Sequence, residues 1–126
     1  MQSVLPKGSP PPAGHYSPAI VHGGFAFVSG QLPTVPGRKD HVVGTIEEQT
    51  EQTMRNVGAV LEAAGSSLAK AVQVTIYISD IELWARVNAA YAKVMGDHKP
   101  ARAVVPVGPL HYGYQIEIQA IGAVDG

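Results

Sequence analysis

Val72-Gln73-Val74-Thr75-Ile76-Tyr77-Ile78 is the stretch on which the reading of this chain turns. Aliphatic residues take every second position, with Gln73, Thr75 and Tyr77 between them. Side chains on a strand point alternately to its two faces, so a period of two predicts a strand with one covered and one open side. A helix is expected on either flank. Upstream, Thr45 and Glu48 have the spacing of a capping box, in which each side chain accepts from the other residue's backbone N–H. Ile46, Thr50, Met54, Val57, Leu61 and Ala64 then recur at steps of three or four, which marks one buried stripe, and Gly65 is a natural stop. Downstream, Ser79 and Glu82 repeat the capping-box spacing and open a second helix through Leu83, Val87, Tyr91 and Val94, which Gly96 ends.

Further out, Ala19-Ile20-Val21-His22 and Phe25-Ala26-Phe27-Val28-Ser29 are short apolar runs joined by Gly23-Gly24, the composition of a β-hairpin turn. The proline- and glycine-rich start, Pro6 to Gly14, reads as loop or extended chain, and Pro33 to Gly44 as a surface loop. Beyond His98-Lys99-Pro100, one strand is predicted from Ala101 to Val107 and a last one from Gln115 to about Ala123. The order is β-β-α-β-α-β-β, an α+β domain spanning residues 1–126 with both helices on one face of a sheet. Two helices cover only one face. The other carries Val, Ile and Phe, which predicts that an oligomer hides it.

Bulk properties exclude several classes. At 126 residues the chain suits one domain, and a net charge of -1 without any block of like charge gives no nucleic-acid or anionic-membrane footprint. With no cysteine there is no disulfide, thiolate nucleophile or cysteine-ligated metal, which fits a reducing compartment. The N-terminus lacks a signal-peptide pattern and no apolar run has membrane-spanning length, so a soluble cytoplasmic protein is expected. The histidines show no zinc spacing, and there is neither a G-x-S-x-G elbow nor a phosphate loop.

Two residues carry the chemistry that remains. Arg102 opens a predicted strand, and its forked guanidinium suits a carboxylate, although an arginine there can equally anchor a loop. Glu117 interrupts the apolar run Ile116 to Ile121, where it serves as a proton carrier or simply faces solvent. A plain hairpin near Pro109-Leu110 would set the two opposite each other, but consecutive strands need not be neighbours. Other polar candidates are Tyr16, Ser29, Asn88, His111, Tyr112 and Tyr114.

Gly14-His15-Tyr16-Ser17-Pro18-Ala19, Phe27-Val28-Ser29-Gly30-Gln31, Ile46-Glu47-Glu48-Gln49-Thr50, Leu61-Glu62-Ala63-Ala64-Gly65-Ser66-Ser67-Leu68, His98-Lys99-Pro100-Ala101-Arg102 and Ile116-Glu117-Ile118, in this order, resemble the RidA/YjgF family over nearly the whole chain. The resemblance implies a chorismate mutase-like fold, a homotrimer with clefts between subunits, and cofactor-free hydrolysis of enamines and imines such as 2-iminopropanoate and 2-iminobutanoate. It gives Arg102 the substrate carboxylate and Glu117 the activation of water. Tyr16, Ser29, Gly30, Asn88 and Val104 become pocket residues. The chain departs from the family pattern at Ala103 and Val104, where Ser and Cys are common, and along Pro106 to Tyr114. A trimer that binds small carboxylates or 2-oxo acids without turnover is the alternative.

Overall fold

In the computed structural model, which describes residues 1–125, the Val72–Ile78 stretch is an interior strand, and the elements on either side of it build the rest of the sheet. In chain order the elements are β1 (Gln2–Val4), β2 (Ala19–His22), β3 (Phe25–Gln31), α1 (Ile46–Ala63), β4 (Ala71–Ile78), α2 (Trp84–Met95), β5 (Ala101–Pro106) and β6 (Ile116–Ala123). One six-stranded sheet runs β1-β2-β3-β6-β4-β5. Its neighbours are antiparallel except β4 and β5, which are parallel and joined through α2. Parallel strands need a crossover of this kind, and the helix provides it.

β1 is an addition to the predicted order. Three residues are too few to show a period, and their pairing with Val21, Ile20 and Ala19 is invisible locally. The last two strands are not a hairpin either, because β4 lies between β5 and β6. The first hairpin is as expected: Gly23 and Gly24 hold φ values of 60° and 84°, the pair of positive angles a two-residue turn requires.

The capping box at Thr45 forms, with Glu48 N–H donating to Thr45 Oγ1 at 3.1 Å and Thr45 N–H to Glu48 Oε1 at 2.9 Å. The expected box at Ser79 does not. Its reciprocal bond needs the Ser79 N–H, which donates instead to Gln115 O at 3.0 Å. Asp80 takes over, accepting from Glu82 N–H at 2.9 Å and opening a 3-10 turn over Ile81–Leu83 before α2 starts at Trp84. A register shift between Ala71 and Gln73 further displaces the β4 alternation: Ala71 is buried while Val72 is exposed. Such a bulge moves a residue to the other face.

Met54, Val57 and Leu61 of α1 and Val87 of α2 pack on Val74, Ile76, Ile78, Ile116 and Ile118. Thr50 and Thr53 enter this core because their hydroxyls donate to Ile46 O and Gln49 O, each at 2.7 Å. Across the helix surface, Arg86 grips Glu47 with two bonds of 2.7 and 2.8 Å. The opposite sheet face is open: Phe25 and Phe27 are 41% and 43% exposed, with Gln73, Thr75 and Gln119 among them. Among the described residues no helix is long and apolar enough to cross a membrane.

Candidate active site

Arg102 stands on the edge strand β5 opposite Val74. Paired residues share a face, and Val74 is buried under the helices, so Arg102 points to the helix side. Three residues of α2 meet it there. Asn88 Oδ1 accepts from Arg102 Nη1 at 2.9 Å, and the guanidinium carbon lies 4.9 Å from the Tyr91 ring centroid and 6.0 Å from that of Trp84. Positions 84, 88 and 91 fall on one stripe of a helix, which is why about two turns of α2 can serve a single side chain. Among the described residues no carboxylate is in ion-pairing range of Arg102, whereas Arg38 and Arg86 are both paired with acids. Burial raises the Tyr91 hydroxyl above its ordinary pKa, against the opposing pull of the Arg102 charge. Val104 follows on the same face, paired with Ile76.

Glu117 sits differently. On β6 it pairs with Tyr77 of β4 and faces the open side, half-buried. Backbone rather than side chains makes its room. The register of β3 against β6 shifts between Val28 and Gln31, and the Ser29-Gly30 bulge lies beside Glu117. A Cβ at Gly30 would run into the Glu117 carboxylate, so only glycine leaves that space. Ser29 is fixed at the same bulge: its N–H donates to Pro18 O at 2.9 Å and its Oγ to Ser17 O at 2.6 Å. Tyr16, next to this anchor, is exposed at 55%.

The expected residues therefore form two groups, Arg102 with Asn88 and Val104, and Glu117 with Ser29 and Gly30, with Tyr16 close by in sequence. Strand β4 separates them. Arg102 aligns with Val74 and Glu117 with Tyr77, positions of opposite parity, so the two charged residues occupy opposite faces of the sheet. One chain does not bring them together. A shallow concavity of about 160 Å³ on the open face, lined by Phe27, Gln73, Thr75, Gln119 and Ile121, includes neither. His111, Tyr112 and Tyr114 gather elsewhere: Tyr112 stacks on His41 with centroids 3.7 Å apart, and Tyr114 meets both rings edge-on. Sequence reasoning missed Trp84 and Tyr91 as partners of Arg102, although their spacing from Asn88 carried the signal. Among the described residues no three His, Asp or Glu side chains converge as a metal site.

The family model described as Endoribonuclease L-PSP matches residues 7–124. This chain belongs to the RidA/YjgF family. A RutC family protein of Pyrococcus horikoshii is 42% identical over 118 residues, covering 94% of each chain. The RidA structure from an Antarctic Psychrobacter superposes with a TM-score of 0.89 at 31% identity, over 98% of this chain and all of that one. TdcF of E. coli, solved with bound serine, gives a TM-score of 0.88 at 26% identity over 99% and 100% of the two chains. The mixed sheet backed by two helices is thus the RidA/YjgF fold, and the match spans both groups of candidate residues.

Proposed function

We propose that this RidA/YjgF protein hydrolyses small 2-imino acids, of the 2-iminopropanoate and 2-iminobutanoate type, to 2-oxo acids and ammonia. The observation that carries the proposal is Arg102: a guanidinium oriented by Asn88 and two rings, with no acid partner among the described residues. Such a group is a prepared partner for a substrate carboxylate. Serine bound to TdcF, a small amino acid, is consistent with that choice of ligand.

The chemistry asks little of the protein. An imine carbon is already electrophilic, so orientation and one proton relay suffice. Arg102 holds the carboxylate, and Glu117 takes a proton from water as its oxygen bonds to the imine carbon. That proton passes to nitrogen to give the carbinolamine. Glu117 then takes the proton of the new hydroxyl and delivers it to the amine as the carbonyl forms and the C–N bond breaks, so ammonia leaves and a 2-oxo acid remains. No cofactor enters. Tyr16, Ser29, Gly30 and Val104 shape the cleft.

Because Arg102 and Glu117 lie on opposite faces of one chain, the site is composed between copies, with Arg102 from one subunit and Glu117 from its neighbour in a homotrimer. The open face bearing Phe25 and Phe27 is the surface such an assembly covers. The cytoplasmic setting belongs to the same proposal. A trimer that only binds small carboxylates is the second reading, favoured by the unusual run from Pro106 to Tyr114.

The test couples turnover to assembly. An amino acid oxidase generates the imine, semicarbazide traps it, and the protein competes with the trap. Wild type lowers the trapped yield, and Arg102→Ala and Glu117→Gln each abolish the effect. Co-refolding the two variants restores about a quarter of the wild-type rate, the share of intact sites in randomly mixed rings. An undiminished trapped yield with wild type sinks the deaminase and leaves the binding protein. A mixture as inactive as its components sinks the composite site.

A further inference from the structure

Arg102 is an unusual arginine in this molecule because it is held by aromatic faces instead of by acids. Arg38 and Arg86 are each neutralised by a carboxylate in their own chain. Arg102 has one hydrogen bond, to Asn88, and its guanidinium carbon lies over Tyr91 at 4.9 Å and Trp84 at 6.0 Å. The two rings are not equivalent. Tyr91 is 6% exposed and its hydroxyl has no hydrogen-bond partner, so what it offers Arg102 is a ring face and not an oxygen. Trp84, at the first residue of α2, is 42% exposed and stands at the mouth of the same group.

We propose that Trp84 and Tyr91 are positioning residues that fix the plane of the Arg102 guanidinium and leave its remaining N–H donors free for a carboxylate, with Trp84 sensing the anion when it binds. The inference rests on the carboxylate-holding role given to Arg102 above and deepens it. The physical division is between face and edge. An aromatic quadrupole attracts a cation through the ring face without using any of its N–H donors. A carboxylate partner in the chain would hold the arginine just as firmly, but it would use up those donors and cancel the charge. Asn88 takes the one donor needed to set rotation in the plane. The remaining donors keep the forked geometry that reads a carboxylate.

Trp84 also makes the proposal measurable, because it is the only tryptophan in the chain. Its emission reports the charge beside it. Neutralising Arg102 with an anion changes the field on the indole, so titration with 2-oxobutanoate gives a saturable change in tryptophan fluorescence, which Arg102→Ala removes.

The kinetic readout separates positioning from mere packing. Trp84→Leu raises KM for 2-iminopropanoate by about 3- to 30-fold, the span of one cation–π contact between exposed and desolvated settings, while kcat moves by less than about 2-fold. Trp84→Phe, which restores a ring face, recovers most of the loss. The melting temperature of each variant checks the fold independently.

Each outcome decides something. A KM unchanged in Trp84→Leu overturns the proposal, and so does a silent tryptophan when calorimetry shows 2-oxobutanoate bound. A loss of activity in Trp84→Leu that tracks a fall in melting temperature, and is not rescued by Trp84→Phe, also overturns it in favour of packing. If wild type binds 2-oxobutanoate with the fluorescence change but does not hydrolyse the imine, the deaminase fails and the positioning role stands. If wild type neither binds nor turns over, both fail together.

Discussion

The surroundings of Arg102 and Glu117 are built in opposite ways. Arg102 is held by three side chains from α2, at distances of 2.9, 4.9 and 6.0 Å, on the face of the sheet that the helices cover. Glu117 owes its place to a strand bulge and to the missing Cβ of Gly30, on the face the helices leave open. A setting made of side chains can be adjusted one contact at a time, and each contact carries a modest energy. A setting made of backbone geometry has no such gradation, since a single methyl group occupies the space.

The sharpest way to break this contrast is Gly30→Ala. The added Cβ meets the mobile end of Glu117 rather than backbone, so the fold tolerates it and the melting temperature stays near wild type. The carboxylate must move, however, and on the proposed role of Glu117 a displacement of about 1 Å costs on the order of 100-fold in kcat/KM. A normal rate in the imine assay would show that Glu117 is not held for catalysis by this bulge.

Tyr91→Phe probes the other half and has a smaller effect. It deletes a buried hydroxyl that has no partner and keeps the ring over Arg102. Removing an unsatisfied group is neutral or stabilising by up to about 1 kcal/mol. KM should stay within about 2-fold of wild type. A large rise in KM would mean that the oxygen, and not the ring face, serves Arg102.

The mildest test concerns the helix pair that carries the Arg102 partners. Arg86 hydrogen-bonds Glu47 and lowers its pKa from 4.5 to about 2, aided by a backbone bond and opposed by slight desolvation. A folded-state pKa below the unfolded one adds stability that is complete above 4.5 and lost as pH falls toward 2. Denaturant melts of wild type should therefore weaken slightly more across that window than those of Glu47→Gln. The pair is about half exposed to solvent, so the difference is small and shrinks with added salt. Identical pH profiles would show that the pair adds nothing to holding α2 in place.

Much of this architecture was legible locally. The period of two in Val72 to Ile78, the three-and-four spacing of α1 and the Gly23-Gly24 turn are each stated by adjacent residues, and each element is where they place it. What failed to show was decided at a distance. Ser79 could not complete a capping box because Gln115, far along the chain, accepts its N–H. Val72 lost its face to a bulge that exists only against β6. The same holds for the site. Residue types and the family pattern pointed to Arg102 and Glu117, but their faces depend on which residues of β4 they pair with, and nothing near either residue encodes that register.

Strand β4 gives the separation a further meaning. On the composite reading, a freshly made chain carries both reactive groups and yet has no site, because its own sheet keeps them apart. Reactivity then belongs to the ring and not to the polypeptide. Folding and assembly become one act of switching on, and the specific rate of a dilute solution falls as the copies part.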